Sequence, residues 1–302
     1  MEPWESSSRT RIELAAAVLV LFSLGCAVRR TTRVAPPGPP PVVQASASDL
    51  ASRLAAAREA VRTLTATADL EPAAGSVYSG VITQYHDVRA FILLESPDHI
   101  RMVGQAPVVR TTIFDMASDG KEFRLLIPSK RKFIVGSDKV VRPAKNSLEN
   151  MRPKHILDAF VVPAVDSEAG DQYFADRERE GGRVYYVLNL VGADAAAGQL
   201  RLRQRAWFDA SSLELSRIQF FDAEAAEVED VRYSAYQDYG GVRYPSHIEL
   251  SRPAEDYSLG ITLEKASFNQ PIPPEKFVLE RPANVDLVQL AAASFGEVMG
   301  GQ

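Results

Sequence analysis

The 302-residue chain has one cysteine, four histidines and two tryptophans, and each scarcity removes a class of chemistry. A lone cysteine, Cys26, excludes an internal disulfide and any metal site built from several thiolates. The histidines, His86, His99, His155 and His247, have no second ligand residue at metal-binding spacing, so neither a metal nor a cofactor is expected. G-x-S-x-G, G-x-G-x-x-G and P-loop patterns are absent, and no catalytic residue is expected. Basic charge is short as well. A net charge of −5 argues against nucleic acid as a partner, because phosphate binding rests on a basic footprint. The apolar run Leu14–Leu24 stops at eleven residues, below the roughly 20 needed to span a bilayer.

That run has the length of a signal-peptide core, follows Arg9 and Arg11, and ends in Ser23-Leu24-Gly25-Cys26. The ending resembles the lipobox of bacterial lipoproteins, in which the leader is cut before a cysteine that becomes lipid-modified. Gly25 and Cys26 match the pattern, while Ser23 and Leu24 depart from its commoner residues. The resemblance implies a signal peptide over residues 1–25 and lipid attachment at Cys26. The other reading is an ordinary signal peptide or anchor with an incidental cysteine. Ala27, where some sorting signals carry Asp, points by analogy to the outer membrane. Residues 26–47 read as a tether, since five prolines between Pro36 and Pro41 favour an extended chain.

Helical spacing follows from Ser48, with Leu50, Leu54, Ala57, Val61 and Leu64 on one face and Pro72 and Gly75 as stops. The period then changes to two. Expected strands are 77–85, 90–95, 100–104, 111–117, 123–127 and 132–135, then 183–190, 200–209, 213–221, 228–236, 242–250 and 259–268. Asp119-Gly120 is a strong hairpin signal, and residues 140–174 read as an insert of one or two short helices, with Pro153 between them or opening the second. The expected fold is mainly β: a single curved antiparallel sheet of about 11 strands, an incomplete half-barrel covered by the N-terminal helix and short lid helices. A sheet this long twists too strongly to stay flat.

The order of these parts resembles the LolA/LolB-type carriers and receptors of lipoproteins. The residues that carry the likeness are the leading helix, "SPDHIRM", "TIFDMASDGKEFRLLIPSKRKFIV", and the closing Phe277, Pro282 and Val285. The resemblance implies a half-barrel domain over residues 48–290, followed by a flexible tail at 291–302. It also implies an apolar cavity that holds acyl chains of lipoproteins or other lipids. Ser96 stands where the soluble carrier has an arginine before its turn proline, here Pro97. Val108 and Val109 fall where the receptor has an exposed apolar loop tip, and so are candidates for membrane or acyl-chain contact; alternatively they begin the next strand. Phe91, Phe114, Phe123, Phe133, Tyr186, Phe208 and Phe220 are core by default and candidate cavity lining. Arg201, Arg203 and Arg205 read as a solvated strand face or a surface for anionic lipid. Residues 223–230 read as an exposed hairpin.

The expected function is therefore a non-catalytic, lipid-anchored protein of the bacterial envelope that binds acyl chains in lipoprotein sorting. It would sit at the outer membrane facing the periplasm, with the membrane and an envelope protein as partners. The alternative is a structural or assembly lipoprotein that uses the same fold for docking, its interior filled by side chains.

Overall fold

The computed structural model describes residues 42–75, 83–84, 88–137, 152–162, 172–194 and 199–290. The expected leader, Cys26, most of the tether, the tail, and the histidine-bearing stretch at 85–87 lie outside the described residues. So do Leu148 and Met151 of the insert and most of the strand expected at 77–85.

Helix α1 spans Ala47–Glu59, and α2 spans Pro153–Phe160. The strands are β1 Thr63–Ala74, β2 Thr83–Gln84, β3 Val88–Glu95, β4 His99–Gln105, β5 Thr112–Ser118, β6 Glu122–Ile127 and β7 Lys132–Ser137. After α2 come β8 Gln172–Glu180, β9 Arg183–Asp194, β10 Gln199–Asp209, β11 Leu215–Phe221, β12 Glu227–Asp238, β13 Arg243–Arg252, β14 Tyr257–Phe268 and β15 Asp286–Leu290. All belong to one open 15-stranded sheet in the order β15-β7-β6-β5-β4-β3-β1-β14-β13-β12-β11-β10-β9-β8, with β2 attached to β1. Among the described residues only β15, against β7, pairs in parallel.

The strand count exceeds expectation for identifiable reasons. Residues 63–74 are a strand rather than the end of the first helix. Leu64, Ala66, Ala68 and Leu70 are buried in alternation with Thr63, Thr65, Thr67 and Asp69. The β-branched threonines favour that conformation. Helix α1 stops earlier because its own apolar stripe is short, with Leu50 and Leu54 its buried residues. Its start is fixed by a capping box, in which Asp49 N donates to Ser46 Oγ at 3.2 Å and Ser46 N donates to the Asp49 carboxylate at 2.9 Å. Asp119-Gly120 forms the expected turn: Gly120 has φ +79°, and Asp119 Oδ1 accepts from the backbone of Lys121 and Glu122.

Fourteen strands at about 4.8 Å spacing would span more than about 60 Å if flat. One apolar cluster nevertheless joins Val288 and Leu290 at one edge, Ala175 at the other, and both helices. The sheet therefore curls, and the concave face is the one that carries this cluster. Helix α2 confirms the curl by touching β4 and β5 as well as β13. Across the convex side of β4–β7 runs the segment between β14 and β15. Arg101 donates to the carbonyls of Lys276 and Val278 and Arg131 to that of Asn284, while Leu279 packs with Ala117 and Phe133.

Candidate functional site

The concave face is built by register. Met116, Met102, Ile92 and Ala66 stand in one row across β5, β4, β3 and β1. On the other half, Leu188, Ala206, Ile218, Val231, Leu250 and Leu259 form a row across β9 to β14. Every residue of both rows is buried. Burying such a surface contributes about 25 cal/mol per Å², and an acyl chain laid on it would gain from the same source.

Next to the second apolar row lies a polar one. Gln204 pairs in register with Phe220 and Phe220 with Glu229; the adjoining positions on β13 and β14 are Arg252 and Tyr257. Arg252 holds both Glu229 and Glu255, the latter at 2.5 Å. Glu229 is taken out of water, and that desolvation pushes its carboxyl up to about 7, against the opposing pull of Arg252.

Helix α2 covers this floor. Ile156, Leu157 and Phe160 enter the apolar cluster. Pro153 opens the helix, at the one position where a missing N–H costs nothing. The carbonyls left over at its C-terminal end are satisfied from the sheet: Tyr233 donates to Ala159 O at 3.0 Å and Tyr244 to Phe160 O at 2.8 Å. His155 Nδ1 lies 2.7 Å from the Tyr257 hydroxyl. Burial, and then the charges of Arg252, Arg152 and Lys154, lower the His155 pKa to about 2, so it sits neutral. Asp158, paired with Lys154, is raised by burial. The cover thus rests on apolar contacts along one side and on desolvated polar groups along the other.

Several expected cavity residues belong to this face. Phe123 and Phe208 are fully buried in the concave cluster, and Tyr186 is buried with them. Phe114 and Phe220 pack at its margin. The Phe114 ring fills the space over Gly104, where any Cβ would collide with it at 2.3 Å. Phe91 and Phe133 are corrections. They share a row on the convex face with Val103, Asp115 and Leu126. Phe91 is 44% exposed, and Phe133 is covered by the crossing segment between β14 and β15. For Phe91 a signal was available: Arg89 and Glu95 have its parity, while Val88, Ala90, Ile92 and Leu94 have the other.

Val108 and Val109 do not begin a strand. They occupy the tip of a turn in which Arg110 N donates to Ala106 O, and they are 88% and 70% exposed. The arginine triplet does not make one plain surface, because a bulge between Leu202 and Gln204 breaks its alternation. Arg205 bonds Asn189 and Glu178 and stacks on Trp207, whose other neighbouring guanidinium is Arg217. Residues 223–230 are exposed only in part, since Glu229 and Asp230 are buried. Among the described residues no three of His, Cys, Asp and Glu could hold a metal ion. A cleft of about 430 Å³ beside Arg183, Asp209, Glu214 and Tyr236 has a mixed polar lining, unlike the apolar floor under α2.

No family model matches the chain, and no curated protein sequence matches it. Among solved structures, a DUF1329 family protein from Desulfovibrio piger aligns with a TM-score of 0.50 at 13% identity, over 77% of this chain and 95% of its own. A LolA superfamily protein from Nitrosomonas europaea aligns at 0.47 and 13% identity, over 78% and 99%. A domain from Vibrio parahaemolyticus, provisionally described as an outer membrane lipoprotein-sorting protein domain, aligns at 0.46 and 14% identity, over 77% and 95%. The first of these shows a shared fold: an open curved sheet, mainly β.

Proposed function

We propose that this chain is a non-catalytic, lipid-anchored protein of the bacterial envelope that shelters acyl chains of lipoproteins or other lipids. The observation that carries the reading is the continuous apolar concave face, covered at its centre by one eight-residue helix. A helix of two turns is not stable by itself, so α2 keeps its shape only while docked. Its release uncovers the apolar floor beneath it, where each CH₂ of an acyl chain that is buried contributes about 0.8 kcal/mol. Cys26 is the attachment point, the proline-rich stretch after it the spacer, and the outer membrane facing the periplasm the location. Val108 and Val109 form the contact with membrane or cargo. Organic extraction of the purified protein followed by mass spectrometry tests the whole: a stoichiometric acyl lipid is expected, and a lipid-free protein that takes up none overturns it.

A second reading, a docking module with a filled interior, is favoured by one fact: α1, α2 and the sheet already share a single apolar cluster. The same extraction separates the two. The loop tip has its own test. In the full chain carrying Cys26→Ser, the pair Val108→Asp/Val109→Asp is expected to lower liposome association several-fold while leaving the unfolding midpoint within about 0.5 kcal/mol, because the tip is exposed. Undiminished association in that variant removes the tip from the mechanism.

A further inference from the structure

One buried polar group on the concave face has a donor without a partner. Gln204 is 5% exposed, and its Nε2 is sealed from solvent with no acceptor in reach. Its place on β10 is an inward one, between Leu190 of β9 and Phe220 of β11 and two residues before Ala206 of the apolar floor. The other inward polar groups in its row are satisfied: Glu229 by Arg252, and Tyr257 by His155. A buried amide donor left unpaired is expensive, and a folded protein rarely keeps one without use.

The row ends at the sheet edge, where α1 lies against β8 and β9. Leu190 pairs in turn with Tyr173 on the edge strand β8, and Tyr173 is 42% exposed. The apolar row runs beside it, from Ala175 on β8 through Leu188 to Ala206, two residues along each strand. An amphiphile with chains on Leu188, Ala206 and Ile218 has the amide beside those chains, within reach of the junction between chain and head group. The chemistry of that junction follows from the donor: a neutral buried amide is best matched by an acceptor without a charge, because burying an anion there would cost far more than one amide donor returns. An ester or amide carbonyl meets both requirements.

Resting on the acyl-chain reading above, we infer that Gln204 donates a hydrogen bond from Nε2 to the ester or amide carbonyl that joins an acyl chain to its head group. Gln204 thereby selects acyl lipids over hydrocarbon or ether-linked chains of the same length. The bond recovers a donor that is unsatisfied in the free protein, so the gain is larger than for a donor taken from water.

The test compares dihexanoyl phosphatidylcholine with its dihexyl ether analogue, which has the same head group and chain length but no carbonyl. Binding of each is measured by calorimetry to the full chain carrying Cys26→Ser, so that no acyl group of its own competes. The wild-type site is expected to prefer the ester about tenfold. In Gln204→Leu and Gln204→Met the two lipids should bind equally. Equal binding of ester and ether to the wild-type site overturns the role of Gln204 and leaves acyl-chain binding standing, as does a preference that survives in either variant. Failure of both lipids to bind overturns the acyl-chain reading itself. The wild-type comparison requires no variant to fold.

Discussion

The two helices on the concave face are held there by different means. Helix α1 has thirteen residues and a capping box, and it leads within four residues into the central strand β1. It contacts β8 and β9 and buries only Leu50 and Leu54. Helix α2 has eight residues, no side-chain cap and five buried positions. Its bonds come from side chains distant in sequence, and it holds His155 and Asp158 out of water. A helix with a short covalent lead into the sheet is a fixed part of the core. One that adds tyrosine hydroxyls and desolvated titratable groups to its apolar contacts, with no short lead into a strand, is expected to open separately from the rest.

Cutting the same kind of side chain in each helix gives the largest expected effect. Leu54→Ala should cost about 3 kcal/mol of global stability in urea denaturation. Ile156→Ala should cost less than about half of that, and should instead speed amide exchange within residues 153–160, because α2 opens below the global threshold. Equal losses at the two sites would erase the distinction.

Acidity sharpens it next. Glu229 has a folded pKa of about 7 against an ordinary 4.5, so its share of stability is full below pH 4.5 and lost as the pH rises through 7. His155 runs the other way: with a folded pKa of about 2 against 6.5, its share is full above pH 6.5 and lost as the pH falls. Between pH 4.5 and 6.5 the folded form carries one proton on Glu229 while the unfolded chain carries one on His155, and the two slopes cancel. In Glu229→Gln that cancellation is lost, and stability should fall by up to about 1.4 kcal/mol per pH unit just below 6.5, before the raised Asp158 takes up its own proton. Unfolding midpoints that stay level from pH 6.5 to 5 in that variant would contradict this. The smallest effect belongs to Tyr244→Phe, which frees the Phe160 carbonyl at a cost of about 1 kcal/mol. Faster exchange is expected in α2 and none in α1; matching changes in both would count against separate attachment.

Most strands were legible because turn chemistry and alternation coincide. Asp119-Gly120 marks one hairpin, and the run from Arg183 marks β9 with its inward Val184, Tyr186, Leu188 and Leu190. Strand β1 was hidden because Leu64 continues the spacing of Leu50 and Leu54 by chance, and β8 because Asp176 to Glu180 are all charged. Those charges suit an edge strand, where they discourage pairing with other chains. Of the candidate site, the large aromatic side chains were visible but not the face each would take, which Phe133 owes to a crossing segment more than 140 residues later in the chain. Glu229 and Gln204 were invisible. A lone acid in an acidic stretch and a glutamine among arginines become unusual only once burial is known.

Strand β1 has one neighbour close at hand and one far away. Thr63 meets Glu95 on one side, while Leu64 meets Phe268 on the other. During synthesis the first meander, up to β7, can assemble as it emerges, yet β1 keeps a bare edge until about 130 residues more have been made. Contacts of such separation form slowly, and an unpaired apolar strand invites the wrong partner meanwhile. The central position that gives β1 a neighbour on each side in the finished molecule also leaves it half-paired through most of synthesis and exposed to misassembly on the way.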